Sequence, residues 1–283
     1  MDIGEAFALG GAAAISAVLG SMLGLGGGVF LVPLFTLFFG VDPKIAIGAS
    51  AVAVVTNSVV GSTVHLRNGF TNIRLAMLLG ITTISGAIVG ALIAIIANAS
   101  VLNLVFGLVL LYAAISMLVR RQVAVPNAEP TDPDPFQLRS SFTDRATGGT
   151  VIYIPQRVPV GLGASGFAGV LSGLLGVGGG VIQVPMMNLL MRIPMKAAAG
   201  TSSFLVGMTA VATATVFYAD GQIDPTVVVP AMIGIFIGSQ IGSNLTSRVK
   251  TANLVIIFVV IMFYLAISML LRAFGITLPG QSS

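Results

Sequence analysis

Eight apolar runs, at about residues 6–23, 43–66, 73–97, 101–119, 158–175, 194–218, 226–247 and 252–271, occupy most of the chain. Most of them approach the roughly 20 residues that a helix needs to cross the ~30 Å hydrocarbon core of a bilayer. In hydrocarbon every backbone N–H and C=O must find its partner inside the protein, so runs of this kind fold as helices. Only 8% of the 283 residues are charged while 56% are hydrophobic. Soluble domains carry about 25% charged residues, and a water-soluble fold could not hide this much apolar surface behind so few charges. The lipid bilayer is therefore the solvent for most of the chain. A net charge of +4 is too small to argue for nucleic acid as a partner. With no Cys there is no disulfide, thiol chemistry or thiolate metal site, and no cofactor is expected. The start, "MDIGEAFALGG", carries two acids and lacks the basic opening of a signal peptide, so the first apolar segment is expected to stay in the mature protein.

Two shorter runs, 28–40 and 180–191, follow a decapeptide that the chain writes twice: "GLGGGVFLVP" at 24–33 and "GVGGGVIQVP" at 176–185, identical at seven of ten positions. At about 1.5 Å per residue each short run covers under ~20 Å and cannot cross alone. The repeat extends further. An offset of 152 carries Lys44 onto Lys196, Gly48 onto Gly200, Ser50 onto Ser202 and Gly69 onto Gly221, and "YAAISMLVR" (112–120) onto "YLAISMLLR" (264–272). Duplication of this kind is common in secondary transporters, whose sites lie between the repeats. The organisation expected is a first membrane repeat (1–121), a linker (122–157) and a second membrane repeat (158–283). Within the linker "SSFTD", "RATGG" and "TVIYIP" read as a small β-hairpin with a glycine turn, in a connector expected to be solvated.

If each glycine motif is the tip of a hairpin, each half makes one hairpin and three full crossings, and the odd number inverts the second half. Arg67, Arg74, Arg120, Arg121, Arg139, Arg145, Arg157, Arg192, Lys196, Arg248 and Lys250 then share one side, against Lys44 and Arg272 on the other. A parallel arrangement splits the same residues eight to five, and the positive-inside rule prefers the first. The fold class expected is all-α: a polytopic membrane protein of two inverted-topology repeats, each a broken-helix hairpin plus three transmembrane helices, 8 to 10 membrane segments in all. Both termini fall outside a cell membrane and the linker in the cytoplasm. Charge bias does not say whether the tips stop at mid-membrane.

Each glycine is less favourable in a helix than alanine by about 1 kcal/mol, so three in a row, Gly26 to Gly28, break it. Unwound backbone at membrane depth is tolerated where protein or a water-lined cavity surrounds it. The helix that restarts after each motif offers unpaired N–H groups and a partial positive charge. Two such tips form a site for a small anion without any buried Arg or Lys. The following helices add neutral polar groups, with Ser50 equivalent to Ser202 and Asn57 to Thr209. The candidate substrate contacts are Gly24, Gly26, Gly27, Gly28, Gly176, Gly178, Gly179 and Gly180, with Ser50, Asn57, Thr201, Ser202, Thr209 and Gln183. Gln183 maps onto the apolar Leu31. The pairs Gly86/Gly90 and Gly238/Gly242 read instead as helix-packing faces.

No Asp or Glu falls well inside a span, and the one His, His65, lies near a helix end. Proton-coupled pumps carry such groups in the membrane, so protein-borne proton coupling is not expected. A membrane enzyme would need a nucleophile–base pair or metal cluster that this composition does not supply, and no metal site is expected. A channel builds its pore on an axis between subunits, whereas this chain carries its two-fold within itself.

The doubled "GLGGGVFLVP"/"GVGGGVIQVP" motif, each copy followed by a Lys and by "GAS" or "GTS", resembles the TauE/SafE family of membrane permeases, also called sulfite exporters. The connector "RATGGTVIYIP" is similar to that family's. The resemblance implies transport of a small sulfur-containing anion (sulfite, a sulfonate or sulfoacetate) across a prokaryotic cell membrane. The partners expected are that anion and the bilayer, and a homodimer is left open. Outward movement by alternating access is the leading expectation, with an uptake permease or an anion channel as alternatives.

Overall fold

The computed structural model describes residues 3–22, 27–118, 133–143, 149–245 and 251–276. The described residues form ten helices and two short strands: α1 (Ile3–Met22), α2 (Gly28–Phe38), α3 (Pro43–Arg67), α4 (Ile73–Ile96), α5 (Ala99–Leu118), β1 (Ser140–Thr143), β2 (Thr150–Tyr153), α6 (Val158–Leu175), α7 (Gly180–Leu189), α8 (Met195–Ala219), α9 (Pro225–Leu245) and α10 (Thr251–Ala273). Seven of these (α1, α3, α4, α5, α6, α8 and α9) are long and apolar enough to cross a membrane. The chain is an all-α polytopic membrane protein. Helices α2 and α7, of 11 and 10 residues, reach only about 15–17 Å.

Local chemistry sets the boundaries. Asp42 caps α3, its carboxylate accepting from the Lys44 N–H at 2.8 Å, and Pro43 opens the first turn. Asn72 caps α4 through the Leu75 N–H at 3.1 Å. Large side chains such as Ile81, Leu92, Phe167, Ile233 and Val260 point outward, while small residues fill the seams between helices. This inverts the pattern of a soluble protein, as a lipid solvent permits.

The two halves interleave. Helix α1 packs on α9, and its repeat equivalent α6 packs on α4. Both seams are glycine-lined. A Cβ on Gly86 or Gly90 would fall inside contact distance of the Gly166 or Val170 carbonyl oxygen on α6. One on Gly238 or Gly242 would do the same at Ala14 or Val18 on α1. These four glycines are packing residues, as their spacing predicts. The central pair is α3 with α8, equivalent helices that run in opposite directions. Gly48 lies against Phe217 and the Gln222 carbonyl, Ser58 donates to the Ser203 carbonyl at 2.8 Å, and Gly200 lies against Phe70.

The linker departs from the solvated connector that its composition suggests. β1 and β2 form the antiparallel hairpin, Ser140 opposite Tyr153 and Thr143 opposite Thr150. Its turn and residues 119–132 lie outside the described residues. Residues 134–143 and 149–156 are docked on the helix ends. Phe142 packs edge-on against Phe70 at 5.3 Å. Leu138, Phe142 and Tyr153 share a core with Leu75, Met187, Met191 and Ile193. The Gln156 N–H donates to the Met191 carbonyl at 2.9 Å, and the Asn72 amide donates to the Leu138 carbonyl at 2.8 Å. The alternation that makes the strands also gives them an apolar face, which the helix ends bury. Asn72→Ala removes a helix cap and orphans a buried carbonyl. It is expected to speed limited proteolysis of the hairpin about tenfold or more, because each loss is worth roughly 1–3 kcal/mol; unchanged cleavage would show the hairpin held by its apolar face alone.

The hairpin end also gathers Arg67, Arg74, Arg139, Arg157, Arg192 and Lys196, at the adjoining helix ends and loops. Lys44, which donates to the Ile95 carbonyl, and Arg272, which donates to the Thr36 carbonyl, mark the opposite end. The remaining basic residues (Arg120, Arg121, Arg145, Arg248 and Lys250) are outside the described residues.

Candidate functional site

Each glycine motif is an elbow between a long helix and a short one. Gly176 ends α6 in the left-handed conformation at φ 66°, and Gly178 and Gly179 follow at 78° and 75°. Gly27 precedes α2 at φ 69°. L-residues with a Cβ enter this region at a cost of about 1–2 kcal/mol each, so successive left-handed positions select glycine. Gly24 and Gly26 lie outside the described residues.

The two elbows meet. A Cβ on Gly28 would sit 3.4 Å from Val177 Cα of the other motif. Ser50, fully buried on α3, places its hydroxyl 3.0 Å from the Gly176 carbonyl and 3.3 Å from the Gly28 carbonyl, bridging both motifs. On α8, the Thr209 hydroxyl lies 3.2 Å from the Gly178 carbonyl, which shares it with the Leu205 and Val206 carbonyls of its own helix at 3.1 and 3.0 Å. Between the tips stands a valine pair related by the repeat offset, Val54 and Val206. Each is the twelfth of 25 residues in its helix. With Ala210 they form a small cluster apart from the two larger cores. A Cβ on Gly178 would lie 2.5 Å from Val206 Cγ1 and 3.0 Å from Val54 Cγ1. The elbows thus converge at the midpoint of the central helices, a depth that charge bias could not supply.

Both short helices begin there without a side-chain cap, since their N-caps are Gly27 and Gly179. Their first backbone bonds come from Phe30, to the Gly27 carbonyl at 3.3 Å, and from Ile182, to the Gly179 carbonyl at 3.1 Å. The N–H groups of Gly28, Val29, Gly180 and Val181 precede the ladder, at the end of each helix that carries roughly half a positive charge. No charged side chain is among the residues that meet here.

The predicted polar residues divide. Ser50 and Thr209 touch the elbows directly. Gln183 is fully buried one turn into α7 and Ser202 is buried on α8 at the position equivalent to Ser50. Neither the Gln183 amide nor the Ser202 hydroxyl has a hydrogen-bond partner. Asn57 is buried on α3, one turn beyond Val54, at the position equivalent to Thr209. Thr201 is directed elsewhere: its hydroxyl accepts from the Asn72 N–H at 3.0 Å, tying α8 to the α3–α4 turn at the hairpin end. Sequence reasoning passed over Val54 and Val206, which read as ordinary span residues, and Ser172. The Ser172 hydroxyl on α6 is buried, unpartnered and 3.5 Å from the Cβ position of Gly179. Its signal was the repeat itself, in which Ser172 replaces Gly20.

The family described as Sulfite exporter TauE/SafE matches residues 8–269 of this chain. Among curated proteins, the chain is similar to the probable membrane transporter protein YunE of Bacillus subtilis (strain 168), with 24% identity over 88% of this chain and 91% of that protein. It is also similar to a probable membrane transporter protein of Xylella fastidiosa (strain 9a5c), 28% identical over 82% of this chain and 81% of that one. A third relative is the probable membrane transporter protein MJ0441 of Methanocaldococcus jannaschii, 24% identical over 91% of this chain and 92% of that one. No solved structure matches. Paired elbows at the midpoint of the central helices and a family match over nearly the whole length lead to one conclusion: the chain is a multi-pass membrane transporter belonging to the TauE/SafE sulfite exporter family.

Proposed function

We propose that this protein moves a small sulfur-containing anion out of the cell by alternating access, with the anion held between the two glycine elbows. The observation that carries this reading is the convergence of two uncapped helix N-termini at the midpoint of α3 and α8. Backbone N–H groups with hydroxyls and an amide bind an oxyanion while leaving release easy, since no fixed cation must be broken away from it. The opposed directions of α3 and α8, and the exchange of α1 and α6 between halves, support an inverted-topology reading in which each repeat supplies one elbow. The basic residues at the hairpin end support a cytoplasmic linker and outward termini.

An interior-negative potential drives each exported negative charge with about 2.3 kcal/mol per 100 mV, a bias of roughly 50-fold at 1.4 kcal/mol per tenfold. In proteoliposomes loaded with sulfite, efflux is expected to saturate with concentration and to rise steeply as the lumen is made negative. Efflux that ignores the imposed potential would overturn the uncoupled export mechanism, and non-saturating flux would point to a channel.

A further inference from the structure

Four buried polar side chains within α6, α7 and α8 have no hydrogen-bond partner: Ser165, Ser172, Gln183 and Ser202. The repeat supplies an internal control for each. Ser165, Ser172 and Gln183 stand where the first half has Ala13, Gly20 and Leu31, and Ser202 stands where Ser50 has found its carbonyl partners. Ala13 and Leu31 are as fully buried as their counterparts. Burial at these positions therefore needs no polar group; a methyl or an isobutyl side chain fills the equivalent space.

The Gln183 amide is the informative member. It is fully buried, and both Oε1 and Nε2 lack a partner, so exchanging the two atoms changes nothing. Its own N–H bonds to the Gly179 carbonyl at 3.0 Å, which places it one turn above the elbow. Helical side chains lean back toward the N-terminus of their helix, and at that end of α7 the Ser172 hydroxyl lies 3.5 Å from the Cβ position of Gly179. An unsatisfied amide in the protein interior calls for an explanation, and here the site demands it of the ligand. Nε2 can donate to an oxyanion. Oε1 can only accept, and the hydroxyls of Ser172 and Ser202 can do either. A fully deprotonated, acceptor-only anion satisfies Nε2 and supplies no donor to Oε1, which neither serine hydroxyl bonds.

The geometry points to a ligand that is a monoanion carrying its own hydrogen-bond donor, a hydroxyl or a retained proton beside the oxyanion group, held asymmetrically by Gln183, Ser172 and Ser202 of the second half. This rests on the transport reading above and names the chemical class that the same site selects. A site built to hydrogen-bond a substrate hydroxyl rejects the analogue that lacks it far more strongly than an apolar pocket rejects a missing methylene.

The test uses the purified full chain and two near-isosteric sulfonates, 2-hydroxyethanesulfonate and 1-propanesulfonate, which differ by a hydroxyl in place of a methyl. The expected result is that the hydroxylated anion binds at least about tenfold more tightly to the native protein. In Gln183→Leu, which installs the residue of the equivalent position, both anions lose the Nε2 contact and that ratio is expected to fall to near unity. A thermal midpoint near that of the native protein shows that the variant is folded, and Gln183→Met serves as the second variant if the branched side chain does not pack. Equal binding of the two anions by the native protein, or a preference that survives in both variants, would overturn the inference and leave the transport reading standing. Failure of both anions and of sulfite to bind the native protein would overturn both.

Discussion

Alanine at Gly178 is expected to lower anion flux about 100-fold in protein that still reaches the membrane. Two penalties add at this one atom. The residue sits at φ 78°, where a Cβ costs about 1–2 kcal/mol. The new methyl would lie 2.5 Å from Val206 Cγ1 and 3.0 Å from Val54 Cγ1, and such overpacking costs typically 1–3 kcal/mol. At 1.4 kcal/mol per tenfold, a total of about 2–5 kcal/mol spent on distorting the elbow gives roughly 30- to 3,000-fold. Gly221→Ala is the control. It has a similar φ of 72° and no heavy atom within 4 Å of the new Cβ, so it carries the strain without the clash and lies far from the elbows in sequence. Flux per folded molecule is expected to stay near native there. Combining Gly178→Ala with Val206→Ala removes the closer clash and should return part of the flux. Native flux in Gly178→Ala would show that the elbow is not the transport site.

The second large effect is on stability. Gly173→Ala on α6 places a methyl against the Ala87 carbonyl oxygen, its carbonyl carbon and its Cα. These are backbone atoms inside α4 and cannot swing aside as a side-chain end can. The two helices must separate along the seam, and in lipid nothing pulls them back together except the close packing just lost. A destabilisation of about 3 kcal/mol is expected, seen as a thermal midpoint lower by roughly 6–12 °C for a chain of this size. Gly163→Ala, on the same helix, meets nothing within 4 Å. It should leave the midpoint unchanged or raise it slightly, because alanine is the better helix former by about 1 kcal/mol. Equal effects of the two substitutions would mean that helix propensity, and not the seam, governs this helix.

Much of the architecture was legible because it depends on length and period. Apolar runs of about 20 residues fix where helices lie, and the short legs expected at 28–40 and 180–191 are helices at Gly28–Phe38 and Gly180–Leu189. The spacing of Gly86 and Gly90 announced a close-packed face, and the alternation in "TVIYIP" announced a strand. Those are local properties, readable without a partner. The docking of the hairpin was not legible, since the face formed by Phe142 and Tyr153 acquires meaning only against Phe70 and Met191. Nor was the diversion of Thr201 to the Asn72 N–H, a contact across 129 residues of chain.

The sequence alone determined that the chain lies in a bilayer, that it is written twice, and that each copy contains a stretch that cannot remain helical. Which helix meets which was left to the tertiary structure. Every span looks alike to hydrocarbon, and between apolar helices in lipid there is no hydrophobic gradient to choose a neighbour. The choice falls to backbone surfaces that fit within contact distance, and these pair α1 with α9 and α4 with α6 across the two halves. That exchange brings the halves together with α3 beside α8, and only then do Gly28, Gly176, Gly178 and the two central valines occupy one place.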